Sequence, residues 1–285
     1  MSVRPLERTI PSIPASDGDG VRLRRSLGKD PYSRLDPFLL LDAFSSDNPD
    51  DYLAGFPAHP HRGFETVTYM LDGHMRHEDN LGHRGELRSG GAQWMTAGRG
   101  IIHSEMPQQA NGRMRGFQLW INLPAREKMR PASYRDIQAD GIPVVPLADG
   151  GRVKVIAGRF VQNGAATVGP IAGRATEPLF LDVTLAPGAR FACDIPRTHN
   201  AVLYPYEGQL KVCAESAARS LSTEVAGVLG LGETAGVVAA DGPARFLLLA
   251  GRPLGEPVVQ YGPFVMNTRQ ELEQAIADYR DGVLA

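Results

Sequence analysis

Short runs in which apolar and polar residues alternate, each closed by Gly, Pro, Asp or Asn, fill most of this chain. That pattern restricts it to half-buried β-strands. Phe64 to Leu71, Gln93 to Thr96, Phe117 to Ile121, Leu179 to Leu185, Ala201 to Tyr204 and Phe246 to Leu249 are such runs. The turns Asp72-Gly73, Pro187-Gly188, Glu207-Gly208 and Asp241-Gly242 follow one another too closely for helical crossovers, which favours antiparallel meanders over a parallel βαβ sheet. Composition agrees: 32 Gly and 22 Pro make nearly a fifth of 285 residues, against about 12% in average proteins. The fold class is all-β, with one short C-terminal helix. That helix is predicted where Thr268 and Glu271 have capping-box spacing and Leu272, Ala275, Ile276 and Tyr279 follow at helical intervals.

The length suits two domains. Between Leu123 and Gly151 the chain carries Pro124, Pro131, Pro143, Pro146 and an Ala-Asp-Gly turn with little periodicity, so it reads as the connection. We expect two antiparallel β-barrels, over residues 1–130 and 131–285. Asn200 to Gly208 faintly echoes Phe64 to Gly73, which suggests that both halves share one fold. A formal charge of −2 without a long basic run leaves no electrostatic footprint for nucleic acid or an anionic membrane. The opening MSVRPLERTI lacks the apolar stretch of a signal sequence, and no run is long enough to span a bilayer, so a soluble cytoplasmic protein is expected. Cys193 and Cys213 are too few for a disulfide scaffold or a Cys-rich zinc site.

Six of the seven histidines lie between positions 59 and 103. In FPAHPHRGFETVTYMLDG, His59, His61 and Glu65 share parity, so on a continuous extended chain they face the same way. Downstream, GGAQWMTAGRGIIHSEMP places His103 and Glu105 two apart, again on one face. Two such pairs on neighbouring antiparallel strands can supply imidazole and carboxylate ligands to one transition metal. His74, His77 and His83 occupy the polar segment HMRHEDNLGHRGEL and read as solvated loop or pocket-rim residues. His199 stands alone. Trp94, Met95, Phe117 and Trp120 read as core, and any that face the metal would line an apolar pocket for an aromatic ligand. Gly98 and Gly100 precede neither a helix signal nor a Lys-Ser/Thr pair, so they read as tight turns rather than a phosphate loop.

The order HxH, acidic residue, Gly, Gly-rich turn and third His resembles the two-part cupin motif. More closely, HPHRGFETVTYMLDG and WMTAGRGIIHSEMP resemble the pirin family, as do LDPFLLLDAF near the start and QYGPFVMNT near the end. The resemblance runs over essentially the whole chain. It implies a bicupin, two β-barrels with one divalent metal, usually iron, in the N-terminal barrel only. Carried over by position, the ligands are His59, His61, His103 and Glu105. The general cupin pattern would instead use Glu65, which otherwise becomes an outer partner. By softness alone three imidazoles and a carboxylate also suit Mn, Ni, Co, Cu or Zn. Four protein ligands in a six-coordinate site leave two positions open for chemistry.

What the resemblance implies about function is a metal-dependent dioxygenase that cleaves flavonols such as quercetin with O2, Glu105 taking the 3-hydroxyl proton. The alternative is a non-enzymatic, metal-containing pirin acting as a redox-sensitive regulatory partner of a transcription factor or metabolic enzyme. A third reading, a storage or isomerase cupin, would bind metal without consuming oxygen.

Overall fold

The computed structural model describes residues 2–213, 218–240 and 242–285; of the expected turns, Asp241 lies outside them. The first half of the chain forms β1 (Leu6–Pro11), β2 (Ile13–Asp17), β3 (Val21–Leu27), β4 (Phe38–Ser46), β5 (Phe56–His61), β6 (Phe64–Asp72), β7 (His74–Asp79), β8 (Arg84–Arg88), β9 (Ala92–Thr96), β10 (Ile101–Pro107), β11 (Met114–Asn122) and β12 (Ser133–Ile137). Two compact units result, one of residues 1–12, 35–37 and 141–253, the other of residues 13–34, 38–140 and 254–285.

A single cut at 130 therefore does not describe the units. The first strand belongs with the later half, and the last 32 residues belong with the earlier half. The proline-rich stretch is not a structureless connection either. β12 pairs with β9, and Val144–Pro146 pairs with Gly151–Ala157. Both strands lie at sheet edges, where proline's missing N–H leaves no ladder bond broken.

Among the described residues each unit contains a seven-stranded sheet, a four-stranded sheet and a two-stranded ribbon, all antiparallel, the large sheets open and jelly-roll-like rather than closed into the expected barrels. In the unit carrying the later half, the large sheet runs β1, Val225–Leu229, Asn200–Glu207, Ala244–Gly251, Leu179–Leu185, Gly151–Ala157, Val144–Pro146. Its interior is an apolar core around Phe160, Phe191 and Phe246, with ring centroids 5.8 and 5.6 Å apart.

The other unit orders its large sheet β12-β9-β6-β11-β4-β3-β2 and its small sheet β5-β10-β7-β8. Leu23, Phe44, Met70, Met75 and Leu87 form one buried apolar cluster within it. Polar side chains of β5, β6, β10 and β11 occupy another part of the interior. The helix α1 (Arg269–Arg280) starts as predicted: Thr268 Oγ1 accepts from the Glu271 N–H at 3.2 Å, and Glu271 Oε2 accepts from the Thr268 N–H at 2.9 Å. Leu272 and Ala275 are buried with Phe264, Met266 and Leu284, and the Tyr279 ring packs on Phe264, while Ile276 stays 37% exposed. No helix among the described residues is long and apolar enough to cross a membrane.

Candidate metal centre

Strand pairing brings the histidines together. β5 runs antiparallel to β10 with His59 directly opposite His103 and His61 opposite Ile101. Alternation puts His61 on the same face as His59, so three imidazoles converge. Their ring centroids are 4.4 to 4.9 Å apart, and one nitrogen from each lies within 4.8 Å of the others.

The donor atoms suit a metal. A carbonyl only accepts, so His59 Nδ1, 2.7 Å from the Pro57 oxygen, carries the proton and leaves a lone pair on Nε2. That Nε2 lies 3.0 Å from His61 Nε2. Two nitrogens at right angles on one metal, each about 2.1 Å from it, stand about 3 Å apart. His103 Nε2 is buried with no hydrogen-bond partner among the described residues. Burial, and secondarily the charge of neighbouring imidazoles, holds His61 and His103 well below the usual histidine pKa, so both are neutral and able to ligate.

Glu105 is two residues beyond His103 and 5% exposed; its Oε1 accepts from Thr68 Oγ1 at 2.8 Å. Glu65 lies elsewhere. The chain from His61 does not continue extended but turns at Gly63, whose φ of +92° and 2.0 Å approach of a would-be Cβ to the Val265 carbonyl admit only glycine. It then enters β6, in the other sheet. There Phe64 packs on the His61 ring and Thr68 reaches Glu105, so the intervening Glu65 points to the opposite face, where it accepts from Thr96 Oγ1 at 2.6 Å. Parity holds along one strand and fails across a turn.

His74 and His77 lie on β7 rather than in the solvated loop expected for them, whereas His83 is exposed beside Asp79. His77 is 2% exposed, directly opposite Glu105 in the ladder, with Nδ1 3.3 Å from His103 Nδ1. Burial lowers its pKa, against the pull of Glu105. The signal for this position was parity: within one strand, 75 and 77 share a face, and Met75 is buried. Of the four expected core residues Trp94, Met95 and Phe117 are buried, and Trp120 instead lines the site, edge-on to His61 at 5.3 Å. Gly98 makes the expected turn, its carbonyl accepting from Gly63 N–H at 2.8 Å. His199 is buried in the other unit, 3.6 Å from Glu177.

His59, His61 and Glu105 form part of the wall of a cavity of about 690 Å³, which also includes Phe44, Phe56 and Trp120 with Arg25, Asp42 and Gln118. Two of the three imidazoles and the Glu105 carboxylate thus share the wall of a largely apolar cleft, the usual lining of a small-molecule site.

Residues 20–121 match the family model Pirin, and residues 180–285 match the Pirin C-terminal cupin domain. The chain belongs to the pirin family. A Pseudomonas aeruginosa protein named "Putative quercetin 2,3-dioxygenase" is 56% identical over 95% of this chain and 95% of its own length. A "Pirin-like protein" of Caulobacter vibrioides is 51% identical over 99% of each. The crystal structure of a quercetin 2,3-dioxygenase from Acinetobacter baumannii superposes with a TM-score of 0.90 at 32% identity, covering 100% of this chain and 99% of that one. The chain is thus a bicupin of the pirin kind.

Proposed function

We propose that this pirin is a metal-dependent dioxygenase that cleaves flavonols such as quercetin with O2. The observation that carries the reading is the convergence of His59, His61 and His103 in one group able to hold a metal, with Glu105 in the wall of the same cavity as His59 and His61. His59, His61, His103 and Glu105 would hold one divalent metal, iron first among the candidates and Mn, Ni, Co, Cu or Zn fitting the same donors. A metal bound there would supply Lewis acidity to the oxygens of the flavonol.

The remaining work falls to side chains. Phe44, Phe56 and Trp120 in the cavity wall offer apolar surface to the flat ring system and exclude water. Glu105, steadied through Oε1 by Thr68, takes the 3-hydroxyl proton on its other oxygen. The protein is expected to work in the cytoplasm. In support stand the relatives named for quercetin dioxygenation.

The second reading, a redox-sensitive regulatory partner of another protein, is favoured by the 51% identical relative that carries the pirin name without an activity. An oxygen electrode separates the two. Metal-loaded protein should take up O2 with quercetin, and Glu105→Gln protein reloaded with metal should do so at least 100-fold more slowly. If no metal supports uptake with any flavonol, the dioxygenase reading is wrong and the partner reading takes its place.

A further inference from the structure

Thr68 has one hydroxyl proton but two apparent acceptors, Glu105 Oε1 at 2.8 Å and the Gln118 side-chain oxygen at 2.6 Å. Both contacts hold only if one partner donates. The Thr68 proton goes to Glu105 Oε1, so the partner that donates is the Gln118 amide. The oxygen and nitrogen of the Gln118 amide exchange places by a half-turn about one bond, and the hydrogen-bond network decides between them. The amide therefore turns its NH2 toward Thr68, and the chain of donation runs from Gln118 to Thr68 to Glu105.

The backbone makes this a built arrangement. Thr68 and Gln118 are opposite one another in the β6–β11 ladder, next to the Thr66–Trp120 pair, and their side chains share the face that Glu105 meets. Gln118 and Glu105 both line the cavity. With its NH2 committed to Thr68, the amide presents its oxygen to that cavity.

We infer that Gln118 is a specificity-determining residue: its carbonyl oxygen accepts from a second hydroxyl of the ligand while Glu105 accepts from the first. The site then selects planar aromatic molecules with at least two hydroxyl groups over those with one. This rests on the flavonol reading above, since it takes Glu105 as facing the substrate.

The test compares quercetin, with several hydroxyls, and 3-hydroxyflavone, with one, by fluorescence titration of metal-loaded protein whose metal content is checked by elemental analysis. Gln118→Leu should weaken quercetin binding about tenfold, the equivalent of one hydrogen bond, and leave 3-hydroxyflavone within twofold. Gln118→Met serves if the leucine variant does not fold. Equal weakening of both flavonols, or of neither, overturns the inference while leaving the flavonol reading intact. Failure of wild-type protein to bind either flavonol removes both. Independently of any flavonol, a neutron structure showing the Gln118 oxygen against Thr68 would contradict it.

Discussion

A neutral imidazole that binds metal through one nitrogen carries a proton on the other, and the group that accepts this proton sets the ring's orientation. For His59 the acceptor is the Pro57 carbonyl; for His103 it is His77 Nδ1, 3.3 Å away. His77→Phe keeps the bulk and removes the acceptor, so metal affinity should fall about 10–100-fold, read by chelator competition; unchanged affinity would leave His77 as packing only. The carboxylates are separable in the same assay. Glu105→Gln should cost metal binding or turnover far more than Glu65→Gln, because Glu65 accepts from Thr96 on the far face of β6; a reversed order would restore the general cupin arrangement. The convergence of His59, His61 and His103 was legible because the first two lie on one strand, where alternation is reliable. His77 was not, since a polar run with Gly82 in its midst resembles a loop until β10 is seen to need a second neighbour.

At the scale of elements, the corner between β5 and β6 is held from residues remote in sequence. The buried Lys128 ammonium donates to the Gly63 carbonyl at 2.7 Å, Asn122 Oδ1 at 2.6 Å and the Val265 carbonyl at 3.0 Å. Arg62 donates to Asp278 at 2.6 Å and to the Leu284 carbonyl at 3.0 Å. The ribbon Val259–Tyr261 and Phe264–Met266 and the helix that follows thus brace the loop next to His61. Lys128→Met leaves three buried acceptors unpaired and should destabilise by about 3 kcal/mol or more, seen as a lower denaturation midpoint in urea. A change below about 0.5 kcal/mol would show that the acceptors find other partners. The helix itself was readable from its capping box and apolar spacing. That QYGPFVMNT braces the metal corner was not, because neither Lys128 nor Val265 shows in sequence what it will meet.

Over the whole molecule, alternation and turn residues announced antiparallel sheets, yet they could not assign strands to units. β1 joins the later half by pairing with Val225–Leu229, and partners as far apart in sequence as Leu6 and Leu229 leave no local trace. The same long-range folding buries four histidines, His61, His77, His103 and His199, and burial lowers each pKa below 6.5. Below that value the unfolded chain binds protons that the folded protein refuses, so stability rises with pH up to about 6.5 and falls as the pH drops below it. The slope is about 1.4 kcal/mol per pH unit for each imidazole whose folded pKa has not yet been reached. Metal-stripped protein should therefore melt at falling temperature from pH 7 to 5.5; a flat or rising profile would mean these rings accept protons in the fold. The proposed chemistry requires a single metal held by His59, His61, His103 and Glu105. Anomalous diffraction from crystals of metal-loaded protein, collected at that metal's absorption edge, tests it most directly. One strong peak per chain is predicted, about 2.1 Å from the three imidazole Nε2 atoms and in contact with the Glu105 carboxylate. A peak elsewhere, a second site of equal height, or a peak bound to Glu65 instead of Glu105 would contradict it.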